Sequence, residues 1–438
     1  MTTKITFWSG LDTIGANIIS LEKDGFQIVT DLGAYVGADI EALLDKSRTS
    51  ELYESKLLPP INGLYPEVQV KDLPLESIEE SDLKTAICLS HLHLDHLGSF
   101  GQISREVPVY TLNKSEQFYT QLKEQELLPQ YDVNWQGVET GVTFEHGPFK
   151  ITFHESDHDT IGAAAIFIEA PDLKLVYSGD LRLSGFAPER VLDWAIKAKE
   201  FQPDILLLEG TSFSSSDEDI KEEVPFANET ETWSLLTEQS LLAKLDDLLT
   251  QTSELITFNG YPQNIERLIH VAELANKYQR KMVLDPAYFE LAKPYLENQS
   301  MELMKLGDDV SPAEIKQTPE QYVVQIAYEN HEALFEIGTG IYIHSNGMPL
   351  GPYMPEFEPF FERVIEAGWD VIFANVSGHA HQEDLLMLAY LIQAKRVVPW
   401  HTFRPIAFGE ALSNYGVPVF LPEKQTEYSL ENILNQSK

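Results

Sequence analysis

Cysteine is almost absent from this chain. Cys88 is the only one in 438 residues, which excludes an intrachain disulfide and a metal site built on thiolates. Positive charge is scarce as well. Lys+Arg number 31 against 69 Asp+Glu, a formal net charge of −38 and a pI of about 4.5. That balance argues against a protein that holds nucleic acid through a broad basic face. No apolar run approaches the roughly 18 residues of a membrane span. The opening MTTKITFWSG lacks the basic-then-apolar order of a signal peptide. There is no internal repeat and no low-complexity tract. The expectation from these absences is a cytoplasmic protein with no membrane partner.

What is present is the material of a large core. Hydrophobic residues make up 43% and charged residues 23%, the composition of an ordinary folded protein and not of a disordered acidic chain. At roughly 100–200 residues per domain, the length predicts two to three domains. The first half reads as strands. Residues 18–21 and 26–29 flank Lys23-Asp24-Gly25, a hairpin signal. Further strand patterns at 85–89, 107–110, 149–153, 163–168, 174–177 and 205–208 alternate with few convincing helices. The character changes near residue 212. Segment 213–231 holds seven acidic residues and one lysine and reads as a surface loop at a domain boundary. Beyond it, a strand at 255–258, helical spacing of Ile265, Leu268, Ile269, Ala272 and Ala275, and a strand at 282–284 make a βαβ unit. Strands at 341–343, 371–373 and 397–398 continue the theme, with a helix through Leu385, Leu388, Ala389 and Ile392 between the last two.

The strongest chemical signal is Ser90-His91-Leu92-His93-Leu94-Asp95-His96, directly after the strand at 85–89. Imidazoles and a carboxylate concentrated at a strand end can converge on a cation, and this ligand set suits zinc. Downstream candidates also sit at strand ends: His158 in Ser156-Asp157-His158-Asp159, Asp180 after the strand at 174–177, and His401 after the strand at 397–398. Taken singly, each is more often a structural residue. Their weight comes from the whole set.

That set resembles the metallo-β-lactamase superfamily. The resemblance implies that His91, His93 and His158 hold one metal and Asp95, His96 and His401 a second, with Asp180 bridging. It implies two Zn²⁺ ions, with Mn²⁺ as the alternative, and an early aspartate, Asp31, that orients a metal ligand by hydrogen bonding. Two dications roughly 3.5–4 Å apart would generate hydroxide near neutral pH and stabilise charge on a scissile phosphoryl or carbonyl group. Asp95 and Asp180 are then both ligands and parts of the catalytic centre.

Asp180 and His401 are 221 residues apart, more than a minimal domain of this kind needs. The intervening region resembles the β-CASP insert of RNA-processing nucleases. Leu206-Leu207-Leu208-Glu209-Gly210-Thr211, the stretch from Phe258 to Arg267, and Val376-Ser377-Gly378-His379-Ala380 carry that likeness. The start, from Gly10 to Asn17, is similar to that of ribonuclease J and its relatives. The implied architecture is α/β: an αββα metallo-β-lactamase sandwich formed by 1–211 and 371–438, with a Rossmann-like β-CASP domain inserted at 212–370. The implied activity is ribonuclease J-like hydrolysis of RNA, single-stranded, by a dimetal-bound hydroxide. Ser377, Gly378 and His379 would bind substrate phosphate, with His379 also stabilising or protonating the departing oxygen. Glu209 would orient a ligand histidine or the attacking water. His344, ending the strand at 341–343, is a weaker candidate for the cleft, and His381 reads as a surface residue opening a helix.

The sequence departs from ribonuclease J in places. His401 is followed by Thr402 where many relatives have glycine, and 346–353 does not reproduce the usual Pro-Gly-Asn-Glu pattern. Only 37 residues follow His401, so dimerisation through an added C-terminal domain is not expected. Two other classes compete with RNA cleavage: a hydrolase of a smaller phosphodiester, nucleotide or thioester, and a non-enzymatic RNA scaffold. An intact ligand set weighs against the scaffold.

Overall fold

Side-chain alternation along the strands decides the layering of the chain. Successive residues of a strand point to opposite faces. In the strand Ile205–Glu209, Ile205 and Leu207 enter one apolar cluster, while Leu206 and Leu208 enter another. The same split separates Leu175 and Tyr177 from Val176, and Val398 and Trp400 from Val397. A strand that is apolar on both faces must be covered on both, so a sandwich with outer helices follows.

The computed structural model describes residues 2–214, 226, 229–296 and 301–435. Three sheets organise them. The first runs Glu427–Ser429, Lys4–Ser9, Ile18–Lys23, Phe26–Thr30, Lys84–Cys88, Pro108–Leu112, Asn134–Val138. The second runs Arg396–Trp400, Ile205–Glu209, Leu173–Tyr177, Ala164–Ala170, Phe149–Glu155, Thr143–His146. Ile5, Phe7, Ile19 and Leu21 of the first sheet meet Phe149, Ile151, Ile166 and Leu175 of the second in one fully buried layer. Each such side chain contributes about 1.5–3 kcal/mol by leaving water. Helices Pro188–Phe201, Gln382–Ile392 and Pro405–Asn414 cover the far face of the second sheet, through Trp194, Leu388 and Phe408. Helix Asn113–Glu124 covers the first through Phe118 and Leu122. This is the αββα metallo-β-lactamase sandwich.

The third sheet is parallel throughout and lies between the two stretches of chain that build the sandwich. Its order is Thr230–Thr232, Asp370–Phe373, Gly340–Ser345, Leu255–Gly260, Tyr322–Gln325, Lys281–Leu284, Leu303–Lys305. The βαβ unit is present as Leu255–Gly260, Ile265–Lys277 and Lys281–Leu284, but its two strands are not neighbours. Tyr322–Gln325 inserts between them and pairs with both. The sheet also reaches a little past 370, because Asp370–Phe373 pairs with Gly340–Ser345.

Local chemistry explains the hairpin. Asp24 (φ 50°) and Gly25 (φ 80°) form a two-residue turn with both φ positive, the geometry that matches strand twist, and set Lys23 opposite Phe26. The helices Asn113–Glu124 and Pro188–Phe201 were not singled out from sequence, although their spacing is helical. Phe118, Tyr119 and Leu122, and likewise Val191, Trp194, Ala195 and Ala198, are buried at helical spacing. The acidic loop expected at 213–231 lies largely outside the described residues.

A buried ion cluster ties the third sheet to the sandwich. Glu238 is fully buried and accepts from Arg182 Nη1 of the sandwich at 2.8 Å and from Arg267 Nε and Nη2 at 2.9 and 2.8 Å. Arg267 also donates to the Val376 carbonyl at 3.3 Å, just before the turn at 377–379. Burial opposes the charge on Glu238, but Arg267 and Arg182 outweigh it and hold the carboxyl below its ordinary value. Glu238→Ala strands two buried guanidinium groups, a loss of about 3–5 kcal/mol. Urea denaturation is expected to register it, with Glu238→Gln intermediate.

Candidate metal centre

The site is assembled where strands end. The strand Lys84–Cys88 runs into residues 90–96, Leu173–Tyr177 into Asp180, Ile205–Glu209 ends on Glu209, and Arg396–Trp400 delivers His401. The 94–96 turn is pinned by backbone bonds: Leu32 N–H donates to His96 O at 2.8 Å and Ala34 N–H to Leu94 O at 2.9 Å. Glycine is required between them, because a Cβ on Gly33 would lie 1.5 Å from Asp95 O. Two site residues, Asp31 (φ 55°) and His401 (φ 52°), hold left-handed backbone, a strain that tends to collect at functional positions. The His401 N–H donates to Gly10 O at 2.8 Å, so the opening segment props the last histidine.

Three groups of ligand-type atoms lie within 4.8 Å of one another: His91, His93 and His158; Asp95, His96, Asp180 and His401; and Glu209, His379 and His401. In the first group, His158 Nε2 is 3.1 Å from His93 Nδ1. In the second, His401 Nε2 is 2.9 Å from Asp95 Oδ2 and His96 Nε2 is 3.2 Å from Asp180 Oδ2. Asp180 stands between the groups, its Oδ2 3.6 Å from His91 Nε2 and 3.9 Å from His158 Nε2. The superfamily resemblance implied this grouping, and folding brings every member into one cleft.

The supporting contacts set ring orientation. Asp31 is fully buried and accepts four hydrogen bonds: Ser90 N–H at 2.7 Å, Ser90 Oγ at 2.8 Å, His96 Nδ1 at 2.7 Å and Tyr177 OH at 2.6 Å. That leaves His96 Nε2 facing Asp180. His401 Nδ1 is engaged by Thr211 Oγ1 at 2.6 Å. Glu209 is fully buried, accepts the Thr211 N–H at 2.9 Å and lies 3.6 Å from His379 Nδ1. His379 Nδ1 is also 3.8 Å from Asp180 Oδ2. Ser377 Oγ accepts the His379 N–H at 3.0 Å, and Gly378 O accepts from His158 Nδ1. The turn at 377–379 therefore braces the first histidine group as well as presenting an imidazole.

His344 does not face this cleft. It is 1% exposed and packed among Phe357, Phe361 and Phe373, because the strand Gly340–Ser345 is buried at every position. His381 is the N-cap residue of Gln382–Ile392. Two neighbours of the cleft were not singled out from sequence. Asp159 Oδ1 sits 3.2 Å from His158 Nε2 and 3.5 Å from His93 Nε2, and the Tyr261 ring stands 5.5 Å from that of His93. Adjacency of Asp159 to His158 was the available signal.

Electrostatics concentrates unlike groups here. Burial pushes His91 and His93 down and His158 to about 3. Burial also disfavours charge on His96, but Asp180, Asp95 and Asp31 outweigh it and push that imidazole well above its ordinary value. A cation fits the cleft on the structure's own terms. His91 Nε2, His93 Nε2, Asp159 Oδ1, Asp180 Oδ2 and His379 Nδ1 are buried with no hydrogen-bond partner. Unsatisfied buried polar atoms cost about 1–3 kcal/mol each, and these converge on one place with the donor set of a borderline-soft dication.

The His379 imidazole is opposed by burial but raised to about 9 by Glu209, Asp180 and Asp159. Its stabilising charge in metal-free protein is complete below pH 6.5 and is lost as pH rises through about 9. The side chain keeps 23% exposure, so solvent screening trims the effect. Thermal denaturation of chelator-treated protein is expected to give a falling Tm across that interval, with a flatter profile in His379→Ala.

Comparison with known proteins agrees with this geometry. The family profile described as "Beta-lactamase superfamily domain" matches residues 65–240. Ribonuclease J of Mycoplasma genitalium is 21% identical over 426 residues, covering 91% of this chain and 68% of that protein. Ribonuclease J of Pyrococcus abyssi is 23% identical over 435 residues, covering 91% and 89%. Among solved structures, a protein of unknown function from Enterococcus faecalis V583 is 27% identical with a TM-score of 0.82, covering 98% of this chain and all of that one. No described helix is long and apolar enough to cross a membrane.

Proposed function

We propose, from the premise that this chain has the metallo-β-lactamase fold and resembles ribonuclease J along most of its length, that it is a binuclear metal-dependent phosphodiesterase acting on RNA. The metallo-β-lactamase fold already makes it a metal-dependent hydrolase; the nuclease reading is the finer step. The observation that carries it is the pair of ligand groups, His91/His93/His158 and Asp95/His96/His401, with Asp180 between them. In this reading the sandwich comprises 1–211 and 371–438, and the β-CASP insert 212–370.

Zn²⁺, or Mn²⁺, bound by these groups would supply Lewis acidity, activating water near neutral pH and neutralising charge on the phosphoryl oxygens. The chain's own residues do the rest. Asp31 holds His96 with Nε2 turned inward, and Thr211 does the same for His401. Asp159 Oδ1 stands 3.5 Å from His93 Nε2, where a carboxylate beside a ligand histidine can bias the orientation of its ring. His379 enters from the turn at 377–379, its Nδ1 3.8 Å from Asp180 Oδ2 and 3.6 Å from Glu209 Oε2. It is placed to donate a proton or hydrogen bond to the departing oxygen.

Purified protein loaded with Zn²⁺ or Mn²⁺ is expected to cleave labelled single-stranded RNA, and EDTA to abolish cleavage. His93→Ala should lower the rate by more than about a hundredfold, since even partners behind metal ligands cost about 10–100-fold. Two bound metals without cleavage of RNA would refute the RNA reading. Asp159→Asn should weaken metal binding by about 10–100-fold in calorimetry, with Asp159→Glu recovering part of it.

A further inference from the structure

A cavity of about 630 Å³ opens beside the metal centre, between the sandwich and the third sheet. Leu94, which lies between His93 and Asp95 in the chain, forms part of its wall, and so does Tyr261, whose ring stands against His93. The size is that of a small-ligand site. Its chemistry is unlike that of a phosphate channel. Tyr261, Tyr288, Tyr328 and Tyr353 contribute four aromatic rings, and methionine, leucine and proline fill most of the remainder. Glu126, Glu329 and Glu356 provide the only ionisable carboxylates, and among the described lining residues there is no Lys, Arg or His.

One polar atom in this wall lacks a partner. Gln263 is 2% exposed. Its Nε2 donates to Leu92 O at 3.4 Å, while its Oε1 is buried with no hydrogen-bond partner. A buried carbonyl oxygen without a donor is costly. Aromatic walls and an acidic rim together specify a flat, uncharged group. A phosphate here would desolvate against aromatic rings and face three carboxylates with no cation to answer it.

We propose that this cavity takes a neutral aromatic group of nucleobase type that forms one arm of the scissile phosphodiester, and that it excludes a phosphorylated arm. The inference rests on the phosphodiesterase reading for the bond that is cut, but not for what the cavity binds. It assigns the enzyme to substrates whose end is an unphosphorylated nucleoside: a short dinucleotide or an unphosphorylated RNA terminus. The stacking energy comes from the tyrosines, which bind bases with little regard to their identity. The acidic rim does the discriminating, since like-charge juxtaposition suppresses the wrong partner.

The test compares two dinucleotides on the metal-loaded protein: adenylyl-adenosine, with both ends unphosphorylated, and the same dinucleotide phosphorylated at both ends. The expected result is a kcat/KM at least tenfold higher for the unphosphorylated one, expressed mainly in KM. In the Glu329→Gln/Glu356→Gln double variant the gap should narrow, and Tyr353→Ala, at an exposed position, should raise KM for adenylyl-adenosine. Equal or faster turnover of the phosphorylated dinucleotide overturns the proposal. A second measurement separates this from the chemistry. Calorimetry on chelator-treated protein should show adenosine binding at least tenfold more tightly than adenosine 3′,5′-bisphosphate, with Tyr353→Ala weakening adenosine. If neither dinucleotide is cleaved but adenosine binds in this way, the cavity assignment stands and the phosphodiesterase reading fails. If dinucleotides are cleaved and adenosine does not bind, the cavity assignment fails and the phosphodiesterase reading stands.

Discussion

Everything in this molecule is arranged around a crowd of ionisable side chains that cannot be left alone in a low-dielectric cleft. Asp31, Asp95, Asp159, Asp180 and Glu209 share it with His91, His93, His96, His158, His379 and His401, seven of the eleven buried and the rest partly so. Removing such groups from water costs several kcal/mol per charge unless each finds a partner. Some partners are internal, as in the four hydrogen bonds that saturate Asp31. The atoms without internal partners point toward one another, and this makes the cleft a cation site and not merely a polar patch.

Such a cluster needs a rigid frame, and the frame is the sandwich. Strand ends are set by ladder hydrogen bonds and by the buried layer between the two sheets, so the side chains that follow them inherit little freedom. The third sheet adds the turn at 377–379, delivered across the seam by the Arg267 contact to Val376 and anchored through Glu238 to Arg182. The same seam creates the aromatic cavity beside the metal centre. The net charge of −38 takes on a local meaning there. The deficit of basic residues extends to the described lining of that cavity, where it acts as a filter on which end of a substrate can enter.

Much of this was legible along the chain. The metal motif is readable because its ligands are dense in one stretch, and the remaining ligands are readable only through the whole set that carries the superfamily resemblance. The hairpin at Asp24-Gly25 is readable because two consecutive positive φ values demand those residue types. Other features escaped for definable reasons. Helices Asn113–Glu124 and Pro188–Phe201 carry the right apolar spacing but lie among strands, and their polar faces mask it. Asp159 was not singled out because nothing in its sequence neighbourhood reveals that the His93 ring stands beside it. His344 shares a strand-end position with true cleft residues, and only packing against three phenylalanines separates it from them.

The sequence by itself determined the residue types that could bind metal, the sheet-rich first part, the sandwich through its superfamily resemblance, and a long intervening region of βαβ pattern. Those properties are local or periodic, so they are written into short windows. Only the tertiary structure decided which partner each histidine ring nitrogen faces, where Asp159 and Tyr261 stand, and that an aromatic, acid-rimmed cavity adjoins the metal centre. These depend on contacts between residues far apart in the chain, such as Gln263 against Leu92 and His401 against Gly10. Spacing along the sequence cannot encode them, because the distances are set by how the sheets pack.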